Sequence, residues 1–115
     1  MIADDNALIR DGIRSLLKPW PELRVVEEAA TGLEALQRAR SATPDIAIID
    51  LSLPDLRGVD LILALKRELP RTHVLVYTIH RSEELVDEAM RAGASGYVVK
   101  GDQSSDLLAA LMNCR

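Results

Sequence analysis

The fold is read from Asp45-Ile46-Ala47-Ile48-Ile49-Asp50-Leu51-Ser52-Leu53-Pro54-Asp55-Leu56-Arg57-Gly58. Ile46 to Ile49 is a short apolar, largely β-branched run bounded by turn residues, the pattern of a strand covered on both faces. It ends on an acid, Asp50. Pro54, Asp55 and Gly58 then turn the chain before a new helical period begins. Open α/β sheets collect their ligands at the carboxyl ends of their strands, which makes Asp50 the first candidate for chemistry.

Working outward, the same alternation recurs. Met1-Ile2-Ala3 is an apolar stub ahead of Asp4-Asp5 and reads as the end of a first strand, which leads to the expectation that the natural chain begins further upstream. Residues 6–18 carry Leu8, Ile9, Ile13, Leu16 and Leu17 at helical spacing, with Asp5 or Asn6 as cap and Pro19 and Pro21 as stops. Residues 24–29 read as a second strand, 33–42 as a helix, and 59–69 as a third helix closed by Pro70. His73 to Tyr77 is a valine-containing strand followed by Thr78. A helix over 82–92 has Glu83 and Glu84 at its positive end and Gly93 at its stop. Gly96 to Val99 is a last strand ended by Lys100, and a last helix over 104–113 takes Ser104 or Ser105 as cap. Five strand–helix units in succession predict an α/β fold with a parallel sheet covered on both faces.

The 115 residues predict one domain over 1–115. The chain is 48% hydrophobic but has no Phe, one Trp and two Tyr, so its core is aliphatic. A net charge of -4, from 14 basic and 18 acidic residues, argues against a nucleic-acid surface within this chain. Cys114 is the sole cysteine, which rules out an internal disulfide and makes the cytoplasm the expected compartment. No apolar run approaches the ~20 residues of a membrane span, and no signal peptide is visible.

Parallel strands bring Asp4 and Asp5, Asp50, Thr78 and Lys100 to one edge. Three carboxylates together repel unless a cation relieves them. A hard divalent ion such as Mg²⁺ suits an all-oxygen site and keeps positions open for phosphate oxygens. Lys100 adds a point charge and Thr78 a hydroxyl donor. There is no Gly-rich phosphate loop, so the pattern fits an aspartate that is itself the nucleophile and yields an acyl phosphate. Each residue also has a plain reading. Asp5 can be a helix cap, Asp50 a turn former, Thr78 a β-former and Lys100 a solvated strand end. Their joint placement favours the site. Asp55 and Gly58 are assigned to the turn, Asp11 and Asp60 to solvent-facing helix positions, and Trp20 to packing beneath the loop after the first helix. Neither His73 nor His80 belongs to a Cys/His cluster, which argues against zinc.

Asp4-Asp5, Asp50 with Leu53-Pro54 and Gly58, Thr78, and Gly96-Tyr97-Val98-Val99-Lys100 together resemble the response-regulator receiver domains of bacterial two-component systems. Ile2-Ala3-Asp4-Asp5-Asn6 and Ala92-Gly93-Ala94-Ser95-Gly96-Tyr97 point to the subgroup that usually carries a C-terminal helix-turn-helix (LuxR-type) DNA-binding domain. The resemblance implies a doubly wound, flavodoxin-like five-stranded parallel sheet of order 2-1-3-4-5. It implies that Asp50 is the phosphoacceptor for a histidine kinase. Mg²⁺ would be held by Asp5, Asp50 and the Ser52 backbone carbonyl, with Asp4 close by, and Lys100 would pair with the phosphoryl oxygens. Thr78 and Tyr97 would be the switch residues that change the face of helix four, strand five and helix five. It further implies a homodimer on phosphorylation, DNA contact only through a C-terminal domain not in this chain, and a regulator that catalyses its own phosphoryl transfer and slow autodephosphorylation. Ser52 and His80, each two residues past a site residue, either tune water's access to the acyl phosphate or are plain exposed loop residues. Arg57 stands where the family commonly has an acid.

Two other readings compete. One is a constitutive dimerisation module with this fold and no phosphorylation, motivated by the short first strand and Arg57. The other is a phospho-aspartate hydrolase of the haloacid-dehalogenase kind. That class needs an acid two residues after the nucleophile as general acid/base, where this chain has Ser52.

Overall fold

A computed structural model describes residues 1–101 and 103–114, Ser104 by its backbone alone. Ten elements alternate: β1 (Ile2–Ala3), α1 (Ala7–Leu17), β2 (Glu28–Ala29), α2 (Gly32–Ala42), β3 (Ile46–Ile49), α3 (Gly58–Glu68), β4 (His73–Thr78), α4 (Glu83–Ala92), β5 (Gly96–Val99) and α5 (Ser104–Asn113). The strands form one sheet of order β2-β1-β3-β4-β5, and each adjacent pair is parallel. The parallel sheet is the one the sequence pattern predicts, and its order is the one the resemblance to receiver domains implies.

The pleat sorts alternate residues to two cores. Ala3, Ala47, Ile49, Val74 and Val76 face α2, α3 and α4, where they meet Ala35, Ala39, Leu61, Ile62, Leu65 and Ala89. Ile2, Ile48, Leu75 and Val98 face α1 and α5, where they meet Ile13, Leu17, Leu107 and Leu111. With no phenylalanine available, both layers are filled by aliphatic side chains. The central strands are apolar on both faces, as strands sandwiched between helices must be.

Helix ends carry the detail. Asn6, rather than Asp5, caps α1, its Oδ1 accepting the Leu8 and Ile9 amides at 2.9 and 3.4 Å. Thr31 caps α2 through the Glu34 amide at 3.1 Å. Gly93 closes α4 at φ 116°, a left-handed conformation open to glycine. The N-cap position of α5 is Gln103, with no side-chain cap bond; Ser105 Oγ instead donates to Gln103 Oε1. The Ser104 side chain lies outside the described residues.

Two expectations are corrected. The sequence pattern reads a second strand over 24–29, yet it pairs only at Glu28–Ala29. It lies at the sheet edge, where Val25 and Val26 stand outside the ladder and Val26 is left exposed to solvent. Trp20 does not pack under the loop: it is 39% exposed. The turn between the two prolines, closed by Trp20 N–H to Leu17 O and Leu23 N–H to Trp20 O, directs Leu17 and Leu23 inward and Trp20 out.

Candidate phosphoacceptor and metal site

Because every strand runs the same way, the chain leaves β1, β3, β4 and β5 at one edge of the sheet. Ladder bonds fix where each exit falls: the Asp4 amide donates to Ala29 O, the Asp50 amide to Ala3 O, and the Lys100 amide to Thr78 O at 2.7 Å. Asp4, Asp50 and Thr78 are buried, while Asp5 is exposed. Asp4, Asp5 and Asp50 each bring a carboxylate oxygen within 4.8 Å of the others.

The cation that such a cluster demands is supplied by the chain. Lys100 Nζ lies 2.7 Å from Asp4 Oδ2 and 3.1 Å from Asp50 Oδ2. Burial alone would pull the lysine down, but its hydrogen bonds to Asp4 and Asp50 and their negative charge outweigh burial and hold it above its ordinary value. The ammonium also sits 5.9 Å from the centre of the Tyr77 ring, a cation–π contact at the edge of the site.

The acid loops are pinned from both sides. The Asn6 amide donates to Asp4 Oδ1 at 2.9 Å, and the Ser52 amide to Asp50 Oδ1 at 3.2 Å. Arg10 Nη1 donates to the Asp4 backbone carbonyl at 2.5 Å, while its Nε meets Glu28 Oε1 at 3.1 Å. The β3–α3 loop is tied to α2 by Asp55, whose two oxygens accept the Gly32 and Leu33 amides at 2.6 and 2.9 Å. These bonds hold the Asp55 carboxyl below its usual range. Asp55 is thus more than the turn residue that its sequence suggests.

Gly58, also read as a turn residue, is the first residue of α3. Its small size matters there, because a Cβ would stand 2.7 Å from the Leu51 Cα. Asp11 and Asp60 are solvent-facing, as expected.

On the β4–α4 side, Ser52 Oγ and His80 Nε2 are 2.7 Å apart. The His80 amide reaches Thr78 Oγ1 at 3.5 Å, and the Tyr97 hydroxyl donates to the His80 carbonyl at 2.8 Å. Burial, with a smaller push from the Asp50 charge, raises the Tyr97 phenol. Arg10, Asp55 and the Ser52–His80 link have no signature in sequence spacing. Each is a contact across 18 or more residues, and only the register of the sheet brings the partners together.

The donor set fits a hard cation. Mg²⁺ takes an all-oxygen shell, and the three carboxylates offer oxygens that lie within 4.8 Å of one another. No His or Cys stands in the cluster. Among the described residues no helix is long and apolar enough to cross a membrane.

Comparison with known proteins agrees with this geometry. Residues 1–112 match the response regulator receiver domain family. The chain is 40% identical over 110 residues to the DNA-binding transcriptional activator DevR/DosR of Mycobacterium tuberculosis, covering 96% of this chain and 51% of the relative. It is 32% identical over 111 residues to the nitrate/nitrite response regulator NarL of Escherichia coli K12, again covering 96% and 51%. The chain therefore spans about half the length of these curated relatives. Among solved structures, a LuxR-family two-component response regulator from Aurantimonas superposes with a TM-score of 0.93 at 34% identity, over 98% of this chain and 81% of that one. The receiver domain of RcsB from Salmonella enterica, determined with the phosphomimetic BeF3-, gives 0.90 at 28%, over 97% and 86%. By fold, by site geometry and by sequence, this chain belongs to the receiver domain family of response regulators, among relatives of the LuxR/NarL type.

Proposed function

We propose that this chain is a phosphorylation-operated switch in which Asp50 accepts a phosphoryl group from the phosphohistidine of a partner kinase. The observation that carries the reading is Lys100 bridging Asp4 and Asp50 at 2.7 and 3.1 Å beside the buried Thr78. An Asp50 carboxylate oxygen attacks phosphorus in line. The phosphorus–nitrogen bond breaks, its electron pair stays on the imidazole, and an acyl phosphate forms on Asp50. Lys100 then exchanges a carboxylate oxygen for a phosphoryl oxygen, and the Thr78 hydroxyl donates to another. Asp5, Asp50 and the Ser52 carbonyl, with Asp4 beside them, are the groups that would hold Mg²⁺. When bound, the ion supplies charge neutralisation for the transferring group.

Thr78 and Tyr97 carry the change outward to the face of α4, β5 and α5, a local electrostatic event that biases a two-state element. The relatives' names, transcriptional activator and response regulator, support control of transcription through a DNA-binding domain in a longer parent. A cytoplasmic location and dimerisation on phosphorylation belong to the same reading.

The test is intact mass after incubation with acetyl phosphate, with and without Mg²⁺, on the wild type and Asp50→Asn. A Mg²⁺-dependent gain of one phosphoryl group in the wild type alone is expected. Equal labelling of Asp50→Asn would remove Asp50 as the acceptor. No labelling of a folded wild type would favour a constitutive binding module.

A further inference from the structure

His80 joins three parts of the site that the sequence lists separately. Its imidazole meets Ser52 Oγ at 2.7 Å, its amide meets Thr78 Oγ1 at 3.5 Å, and its carbonyl accepts the Tyr97 hydroxyl at 2.8 Å. Ser52 lies in the loop after β3 and His80 in the loop after β4. These two strands are in-register neighbours, with Ile49 beside Val76. A hydrogen bond between the loops therefore fixes the β4–α4 loop relative to the acid pocket. The Ser52 hydroxyl can donate or accept, so the link forms with either imidazole tautomer.

We infer that the Ser52–His80 side-chain pair is a clasp that positions Tyr97: by holding the β4–α4 loop against the β3–α3 loop, it keeps the His80 carbonyl where the Tyr97 hydroxyl reaches it. His80 and Ser52 are positioning residues in this role. The inference rests on the reading of Tyr97 as the element that moves, and it adds that the resting chain already biases that movement. A switch whose tyrosine is engaged before phosphorylation needs less differential binding to complete the shift. The Ser52 hydroxyl acts on Tyr97 only through His80, which makes Ser52→Ala the decisive variant: one oxygen is removed and the β4–α4 backbone is untouched.

The chain has two tyrosines, so ring-labelled tyrosine gives two NMR signal sets, assigned with Tyr77→Phe. Spectra are recorded without Mg²⁺ or phosphodonor on the wild type, Ser52→Ala, His80→Ala, the double variant and His80→Gln. In Ser52→Ala and His80→Ala the population with Tyr97 disengaged should rise about fivefold, the factor for one hydrogen bond of ordinary net strength. The double variant should go no further than either single one. His80→Gln, which keeps a nitrogen near the Nε2 position, should restore the wild-type signal. An unmoved Tyr97 in Ser52→Ala overturns the clasp. So does an equal shift of Tyr77, which marks general loosening rather than release of one ring. These spectra do not depend on phosphorylation, so a chain that takes no phosphoryl group can still show the clasp, and a phosphorylated chain can still lack it.

Discussion

Asp55 reaches back 23 residues to accept the Gly32 amide at 2.6 Å, with the Leu33 amide 2.9 Å from its other oxygen. One carboxylate thereby caps the first turn of α2 and anchors the loop that carries Ser52. Leu56 rests on Gly32, where an added Cβ would come within 2.8 Å of it, so the two segments are also in steric contact. Asp55→Ala should free the loop and lower Mg²⁺ affinity by about threefold to tenfold, short of the roughly 10–100-fold typical of a ligand's direct hydrogen-bond partner. Calorimetric titration with Mg²⁺ checks this. A drop that vanishes at high ionic strength would point to lost charge rather than lost position. The bonds lower the folded pKa of Asp55. Its contribution is therefore complete above the unfolded carboxyl value and is lost as pH falls through the folded one.

Lys100 holds two buried carboxylates at once, so truncating it leaves both without their cation. Lys100→Ala should destabilise the Mg²⁺-free chain by about 1–3 kcal/mol, less than for a fully enclosed pair because the ammonium keeps some contact with water. Millimolar Mg²⁺ should recover part of the loss, since a cation that binds only the folded chain stabilises it. Urea midpoints with and without Mg²⁺ decide the matter; equal midpoints for variant and wild type in the absence of Mg²⁺ would contradict it.

Gly58→Ala should cost about 1–3 kcal/mol by overpacking, because the new methyl meets the Leu51 backbone, which cannot swing aside as a side-chain tip can. Thermal melts compared with Gly12→Ala, where nothing lies within 4 Å of the added carbon, provide the check.

The parallel sheet and the gathering of Asp4, Asp5, Asp50, Thr78 and Lys100 at one edge were legible because they depend on local signals, while the strand order was implied by the resemblance to receiver domains. Short apolar runs, proline stops and helical spacing set the elements, and parallel strands do the rest. Most of what escaped was set by partners distant in sequence. Residues 24–27 look as strand-like as Glu28–Ala29, but only the latter pair in the sheet. Trp20 has a core residue's chemistry, yet the proline-framed turn points it outward. Arg10 reads as one more charge on a helix, and its bond to Glu28, 18 residues away, emerges only when α1 lies against β2. Asp55 and Gly58 have the chemistry of turn formers, and nothing in their spacing shows their reach to α2 and Leu51.

The charge on β2 bears on how copies of this chain behave in a crowded solution. An exposed sheet edge is a template on which a second molecule can add a strand and begin to aggregate. On this margin Glu28 carries a charge engaged by Arg10 and Arg14, so a strand docking there would disturb two ion pairs. Two arginines of the first helix thus guard one flank of the sheet against self-association.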